Sequence, residues 1–286
     1  MRKQRGVRFR LIQGFLGVLA VLMLLPMLQT FLYSFSSISE MKSYMGTRGS
    51  FDESRWMDPH LIPNMFSLGQ YHQILITDNT VLRLFVNSAM YAAMILTGQA
   101  IIIPAMAFGL SRFHFPGRNA AFFGIILLML LPFQVTMVPN VLTLRSLGLT
   151  DTIWAVVLPM WFAPFYIFLI RQFMVGLPNE LIEAAEMDGA GTFSVYLRVI
   201  LPVCRPILGA AAALSFAESW NLVEQPLTYL TTRGDLQPLS TMFNQLVKEK
   251  TGFEFAGAAL YILPALFVYL FFQEDILSGL QLTELK

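Results

Sequence analysis

Glutamates recur every three residues in a short polar segment of an otherwise apolar chain, at Glu180, Glu183 and Glu186. Pro178 precedes them and suits the first turn of a helix, where the helix dipole favours negative charge. The other face of this predicted helix is small and apolar: Leu181, Ala184 and Ala185. This arrangement suits a protein contact in which a partner's arginine pairs with a glutamate and small side chains allow close approach.

The residues that follow predict a second short helix. Gly189 is well placed to end the first helix, because glycine adopts the left-handed capping conformation without strain. Thr192 can cap a second helix that runs through Tyr196 to Ile200 and is stopped by Pro202. The expected unit is a helix-turn-helix of about 25 residues. On periodicity alone, an ordinary connector with solvated glutamates remains open.

Catalytic and metal-binding patterns do not occur in the sequence. No Gly-Lys dipeptide is present, which excludes a phosphate-binding loop of the G-x-x-x-x-G-K type. His60, His72 and His114 match no metal-ligand spacing. There is no G-x-S-x-G motif, and Gly189-Ala190-Gly191 lacks the third glycine of a dinucleotide site. We therefore predict a non-catalytic chain without a metal or cofactor; ATP, if used, binds to another subunit.

Composition places the chain in a membrane. Of its 286 residues, 56% are hydrophobic and 13% charged, against about 25% charged in soluble domains. The mean hydropathy is +0.60. A net charge of +1, with no basic block outside the N-terminal tail, argues against nucleic-acid binding. Cys204 is the single cysteine, so an intrachain disulfide is excluded.

Six apolar runs predict an all-α polytopic protein with six transmembrane helices. The first run, of about 22 residues, is long enough to cross a membrane and longer than the apolar core of a signal peptide, the alternative for this segment. Prolines inside the later runs are tolerated when neighbouring helices satisfy the freed carbonyls. The runs are Leu11–Leu32, Leu84–Leu110, Ala120–Asn140, Thr152–Ile170, Pro206–Glu224 and Gly257–Phe272.

Charge and polarity divide the chain and orient it. Residues 1–33 form a basic tail and the first helix, 34–83 an extracytoplasmic loop, and 84–286 a five-helix core with a polar loop at 171–205. Basic residues are densest in the tail, which the positive-inside rule assigns to the cytoplasm. Six spans then place both termini and the 171–205 loop in the cytoplasm of a cell membrane.

Several motifs resemble one transporter family. The segment Glu183–Ala190 reads E-A-A-x-x-D-G-A and stands nine residues before Ile200-Leu201-Pro202. It resembles the "EAA" loop of permease subunits in binding-protein-dependent ABC importers. The variant L-P-x-E-L-x-E-A-A, from Leu177 to Ala185, is similar to the carbohydrate-uptake branch, as are Ser219-Trp220-Asn221 and the closing run to Phe271-Phe272-Gln273. The resemblance covers residues 84–286.

That resemblance implies a type I importer permease fold and a set of partners. The partners are two cytosolic ATPase subunits, a second permease that is a different chain, an extracytoplasmic solute-binding protein and a sugar substrate. Glu183 would pair with an ATPase arginine, Ala184 and Ala185 would form the contact surface, and Asp188 and Gly189 would complete the coupling motif and its turn. The tail from Glu274 to Lys286 could also reach the ATPases.

The fifth run carries a polar stripe that could face the solute path: Ser215, Glu218 and Asn221. An acid within a membrane helix is costly and should face a cavity or a cation. Glu218 stands where the family pattern has an aromatic residue, and Leu222 where it has a glutamate. Glu218 could contact solute or pair with the second permease. Asn87, Gln99 and Gln134 in other runs are expected to form hydrogen bonds between helices.

Other functional classes stay open. The same machinery could import a non-sugar solute such as a glycerophosphodiester, although Glu218 disfavours an anion. An ATP-independent transporter or channel would leave the polar loop as a connector, and the inverted repeats that would support it are not apparent. A scaffold without transport would not explain the polar stripe in the fifth run.

Overall fold

The structure is a computed structural model that describes residues 2–45, 62–77, 79–241 and 253–284. Within those ranges it is helical, and the β pairing is a single isolated bridge between Ser36 and Phe66. The prediction of an all-α fold is confirmed. The helices, in chain order, are α1 (Arg2–Tyr33), α2 (Ile38–Met45), α3 (Gly69–His72), α4 (Asn79–Arg112), α5 (Arg118–Leu130), α6 (Phe133–Ser146), α7 (Ile153–Trp161), α8 (Pro164–Val175), α9 (Glu180–Met187), α10 (Thr192–Val203), α11 (Arg205–Trp220), α12 (Glu224–Tyr229) and α13 (Glu254–Glu284).

Membrane spans are built both from single helices and from broken ones. Helices α1, α4 and α13 are each long and apolar enough to cross a bilayer, and α7 with α8 forms a fourth span, Ile153–Val175. Two further pairs are bent, α5 with α6 by 108° and α10 with α11 by 74°. The described part of the chain therefore has four spans, or six when each bent pair counts as one.

Two of the predicted apolar runs do not form one continuous helix over their expected length. The third, Ala120–Asn140, is broken because Leu131 precedes Pro132, which disfavours helical backbone, and Leu131 is extended at ψ 125°. The fifth, Pro206–Glu224, ends as a helix at Trp220. There the Asn221 side-chain amide donates to the Ala217 carbonyl at 2.8 Å, which satisfies an acceptor at the helix end.

The chain divides into two compact units, Met1–Leu82 with Met242–Leu263 and Arg83–Thr241 with Pro264–Lys286. In the first unit the buried Gln70 amide organises the fold. It donates to the carbonyls of Tyr33 and Ser36 at 2.7 and 2.9 Å and accepts from the Ala256 N–H at 3.2 Å. Residues 46–61 and residue 78 of the expected 34–83 loop lie outside the described ranges.

The second unit has a continuous apolar core between α4, α5, α8, α10 and α11. Its buried members include Ala107, Ile125, Ile167, Ile200 and Ile207. A stacked pair, Phe122 and Phe168 with ring centroids 6.0 Å apart, joins α5 to α8. This core supports the polar segment that contains α9, since Leu177, Ile182 and Ala190 pack against it.

Candidate functional site: the exposed helix α9 and its base

Helix α9 begins at Glu180, so Pro178 lies before the helix and not in its first turn as expected. Asn179 occupies the N-cap position, but its side chain makes no capping hydrogen bond to α9. Glu180 and Glu183 stand in the first turn, where the helix dipole stabilises negative charge. The acidic N-terminus predicted from the glutamate spacing is therefore present.

The other end of α9 is closed by a glycine turn. Gly189 has φ +84°, its N–H donates to the Glu186 carbonyl at 2.9 Å, and the Ala190 N–H donates to the Ala185 carbonyl at 3.0 Å. This pair of bonds is the Schellman arrangement, which satisfies the last carbonyls of a helix. The left-handed turn predicted at Gly189 is confirmed.

The second helix of the segment differs from the prediction at both ends. Gly191, not Thr192, is the N-cap of α10, and its carbonyl accepts from the Val195 N–H at 3.0 Å. Pro202 does not stop the helix, which continues to Val203. A π-helical turn over Tyr196–Ile200 precedes Pro202, so the proline occupies the first turn of a new α-helical segment and its missing N–H breaks no bond.

Helix α9 presents most of its surface to solvent. None of its residues is buried, and the exposed ones include Glu180, Glu183, Ala184 and Glu186, followed by Asp188 and Gly189. Ala185 was assigned to the contact surface, but it is half-buried and packs with Ile182 against the core. Ile182 and Ala185, three residues apart, therefore lie on the face of α9 that packs against the core, and Ala184 lies on the exposed face.

Large apolar side chains are exposed beside the acidic stripe. Met187 is 88% exposed and Phe193 73% exposed, and Leu197 is exposed on the following helix. Exposed apolar side chains beside charges are typical of a surface that a partner protein covers. The motif did not single out Met187 or Phe193, because such positions read equally well as buried core residues.

The base of α9 is held by Arg112, the last residue of α4. Its Nη1 donates to Asn179 Oδ1 at 2.6 Å, and its Nη2 donates to the carbonyls of Met174 and Leu177 at 2.6 and 3.0 Å. Beside this contact is a cavity of about 390 Å³ whose lining includes Glu183. The coupling motif does not include Arg112; its signal in the sequence is a basic residue at the end of a long apolar run.

The polar stripe of the fifth run is divided by the structure. Ser215 is 2% exposed and donates to the Gln99 side-chain oxygen, so it lies in the contact between α11 and α4. Glu218 is exposed and lies beside the buried hydroxyl of Tyr166. Asn221 is exposed at the end of α11. The side chains of Glu218 and Asn221 are thus both exposed, whereas that of Ser215 is buried.

The interhelical hydrogen bonds expected from the other polar residues are present in part. Gln99 joins α4 to α7 and α11, and Gln134 of α6 donates to the Glu224 carboxylate of α12 at 3.1 Å. Asn87 does not bond another membrane helix; it bonds the carbonyls of Asp235 and Gln237, in and just after a short 3-10 turn. Within the described ranges, no group of three or more histidine, cysteine or acidic side chains could hold a metal ion.

Long apolar helices and two bent helix pairs around a solvent-exposed segment define a multi-pass membrane protein. The chain belongs to the family described as the binding-protein-dependent transport system inner membrane component, whose model matches residues 100–274. It is therefore a multi-pass membrane component of a transporter and not an enzyme subunit.

Individual relatives agree with this assignment. The arabinooligosaccharides transport system permease protein AraQ of Bacillus subtilis (strain 168) is 27% identical over 78% of this chain and 80% of its own length. The sn-glycerol-3-phosphate transport system permease protein UgpE of Shigella flexneri serotype 5b (strain 8401) is 31% identical over 60% of this chain and 63% of its own.

A solved structure supports the fold directly. The crystal structure of a bacterial ABC transporter involved in the import of the acidic polysaccharide alginate matches 96% of this chain and 98% of its own, with a TM-score of 0.81 and 22% identity. The permease fold predicted from the motif resemblance is confirmed.

Proposed function

We propose that this chain is one permease subunit of an ATP-driven importer and that α9 is its contact with a cytosolic ATPase. The observation that carries the proposal is the exposed, acidic α9 with its base fixed to α4 by Arg112. An exposed helix on a rigid base can receive a displacement from a partner and pass it on. Two ATPase subunits, a second permease of different sequence and an external solute-binding protein complete the proposed assembly.

In this assembly ATP closes the ATPase dimer, α9 moves with it, and the cavity between two permeases opens outward. Glu183 pairs with an ATPase arginine, while Ala184, Asp188 and Met187 form the surrounding contact. Gly189 supplies the turn, and Ala185 supports the helix from its inward side. Both termini lie in the cytoplasm, a topology that rests on the basic tail.

The proposed solute is a sugar or oligosaccharide. This rests on the carbohydrate-type motif from Leu177 to Ala185 and on the names of relatives such as AraQ. A second candidate, a polyol phosphate or glycerophosphodiester, is favoured by the similarity to UgpE. Uptake of labelled oligosaccharides and of glycerol 3-phosphate by cells that express the whole transporter separates the two.

Charge reversal tests the ATPase contact. Glu183→Lys should reduce both co-purification of the ATPase and solute uptake, because a lysine there repels the partner's arginine. Ser146→Lys is the control for an added positive charge, since Ser146 is exposed on α6 and its hydroxyl bonds only the Thr143 carbonyl of its own helix. A Glu183→Lys transporter that keeps its ATPase bound and imports at the control rate would remove the assignment.

Removal of one charge tests the solute path. We propose that Glu218 and Asn221 border this path, with Ser215 helping to position α11. Glu218→Gln should alter uptake if the carboxylate meets the solute, and assembly with the second permease if it pairs there. Unchanged uptake, assembly and thermal stability would leave Glu218 without either role.

A further inference from the structure

Helix α4 makes side-chain hydrogen bonds at both of its ends, and each set holds a loop. At one end Arg112 bonds Asn179 and the carbonyls of Met174 and Leu177, which immediately precede α9. These three acceptors lie within six positions of each other, so one guanidinium fixes the whole base of α9. A displacement of that base must move α4 or break these hydrogen bonds.

The other end of α4 holds the loop that follows α12, residues 230–241, here called the α12–α13 loop. Asn87 Nδ2 donates to the carbonyls of Asp235 and Gln237 at 2.8 and 3.0 Å. The Tyr91 hydroxyl donates to the carbonyl of Leu236, between them, at 3.1 Å. Consecutive backbone acceptors of this loop are thus bound by one turn of α4.

Between the two ends, α4 is fixed to the neighbouring helices. Gln99 donates to the Met160 carbonyl at 2.6 Å and accepts from the Ser215 hydroxyl. The Trp161 indole donates to the Met94 carbonyl at 3.0 Å, and its ring lies so close to Gly98 that a Cβ there would be 2.1 Å from it. This close contact gives α4 a fixed point near its middle.

Asn87 and Arg112 are 25 positions apart, which is about 37 Å along a helix. Helix α4 continues through Pro104, so one element connects both loops. We propose that α4 is the link that carries displacement of α9 to the α12–α13 loop, with Arg112 and Asn87 as the positioning residues at its two ends. The inference rests on the proposed function, because it takes α9 as the element that the ATPase moves.

The link can be tested with a spin label on the α12–α13 loop. Its spectrum is recorded while nucleotide binds to the ATPase subunits, which contact α9 in the proposed assembly. The label is attached to Thr231→Cys, an exposed position of the α12–α13 loop, while native Cys204 is buried and stays unlabelled. The whole transporter is reconstituted with its ATPase subunits, and spectra are compared without nucleotide and with MgATP and vanadate. Arg112→Ala and Asn87→Ala are measured singly and together.

If α4 is the link, the label spectrum of the parent transporter should change with nucleotide. This change should be absent in Arg112→Ala and in Asn87→Ala. The double variant should lose no more than either single one, because residues that act through one element are not additive. Thr97→Val is the matched control on α4, since Thr97 bonds only the Ala93 carbonyl of its own helix at 2.7 Å, and it should keep the change.

The outcomes separate this inference from the proposed function. If Arg112→Ala keeps its ATPase and also keeps the full spectral change, the link is wrong while the importer assignment stands. A parent transporter that imports solute without any change at the label overturns the link as well. A parent that binds no ATPase contradicts the proposed function itself.

Two milder variants test the link if the alanine variants do not fold. Tyr91→Phe removes only the hydroxyl that donates to Leu236, and Arg112→Lys keeps the charge but cannot reach all three acceptors in the same geometry. Both should weaken the spectral change in transporters whose thermal unfolding matches the parent. An unchanged response in both would contradict the link.

Discussion

The two loops held by α4 are stabilised in opposite ways. Helix α9 has no buried residue and is held by its base and by partial packing of Ile182 and Ala185 on the core. The α12–α13 loop instead has hydrogen bonds to α4 and buried residues at Pro238 and Leu239. In that loop Leu239 is fully buried, and its N–H donates to the buried Ser88 hydroxyl at 2.9 Å. The Gln237 side chain also bonds the carbonyls of Pro226 and Leu230. Helix α9 leaves most of its surface exposed, and the α12–α13 loop buries its end at Pro238 and Leu239.

This difference shows where each loop gains its stability. Met187 and Phe193 leave apolar area in water, which burial in a contact would stabilise by about 25 cal/mol per Å². In the α12–α13 loop, the carbonyls of Asp235, Leu236 and Gln237 and the N–H of Leu239 are bonded by side chains of α4. Substitutions near α9 should therefore change assembly more than stability, and substitutions at the α12–α13 loop should change stability first.

The largest expected effect on stability is at Ser88. Ser88→Ala leaves the buried Leu239 N–H without an acceptor, which costs about 1–3 kcal/mol. Thermal unfolding of the purified transporter should show a lower midpoint. Ser146→Ala is the control, because the Ser146 hydroxyl is exposed and bonds only the Thr143 carbonyl of its own helix. Equal midpoints for the two variants would show that the α12–α13 loop is not held as described.

A smaller and more local effect is expected at the end of α9. Gly189→Ala has open space for its methyl group but must hold φ near +84°, which costs about 1–2 kcal/mol for an L-residue. Hydrogen exchange at the Ala190 N–H should accelerate accordingly. Gly191→Ala is matched to it, because Gly191 also has open space but an ordinary φ of −71°. If both variants exchange alike, the turn does not require glycine.

The α9 segment was predictable because its signals are local. Glutamate spacing, a glycine after the helix and the motif around Glu183 depend on neighbouring residues, and the left-handed turn at Gly189 follows from them. The errors at Thr192 and Pro202 are also local. The π-helical turn over Tyr196–Ile200 adds one residue to the helical hydrogen-bond spacing just before Pro202, and no pattern in the sequence predicts it.

The contacts that position α9 and the α12–α13 loop were not predictable, because they join residues far apart in the chain. Arg112 meets Asn179 across 67 positions, and Asn87 meets Asp235 across 148. Polar residues in apolar runs indicate that hydrogen bonds exist but not their partners. For the same reason Ser215 was grouped with Glu218 by spacing, although packing against Gln99 buries it.

The smallest effect concerns an exposed hydrogen bond from the α12–α13 loop to Asp151. Asp151 has φ 59°, and its Oδ1 accepts from the Thr232 N–H at 2.9 Å. That hydrogen bond lowers the pKa of Asp151. A lowered pKa means that the carboxylate stabilises the folded loop above the unfolded pKa, near 3.9, and that this stabilisation is lost as pH falls through the folded pKa.

Asp151→Asn should therefore expose the Thr232 N–H to faster hydrogen exchange at neutral pH, since a neutral amide accepts more weakly than a carboxylate. The difference between variant and parent, after correction for the intrinsic rate, should shrink as pH falls below about 4. Thr231→Ser tests the neighbouring position without altering charge and should leave the pH profile unchanged. A difference that stays constant down to about pH 3 would mean that the Asp151 carboxylate does not hold this loop.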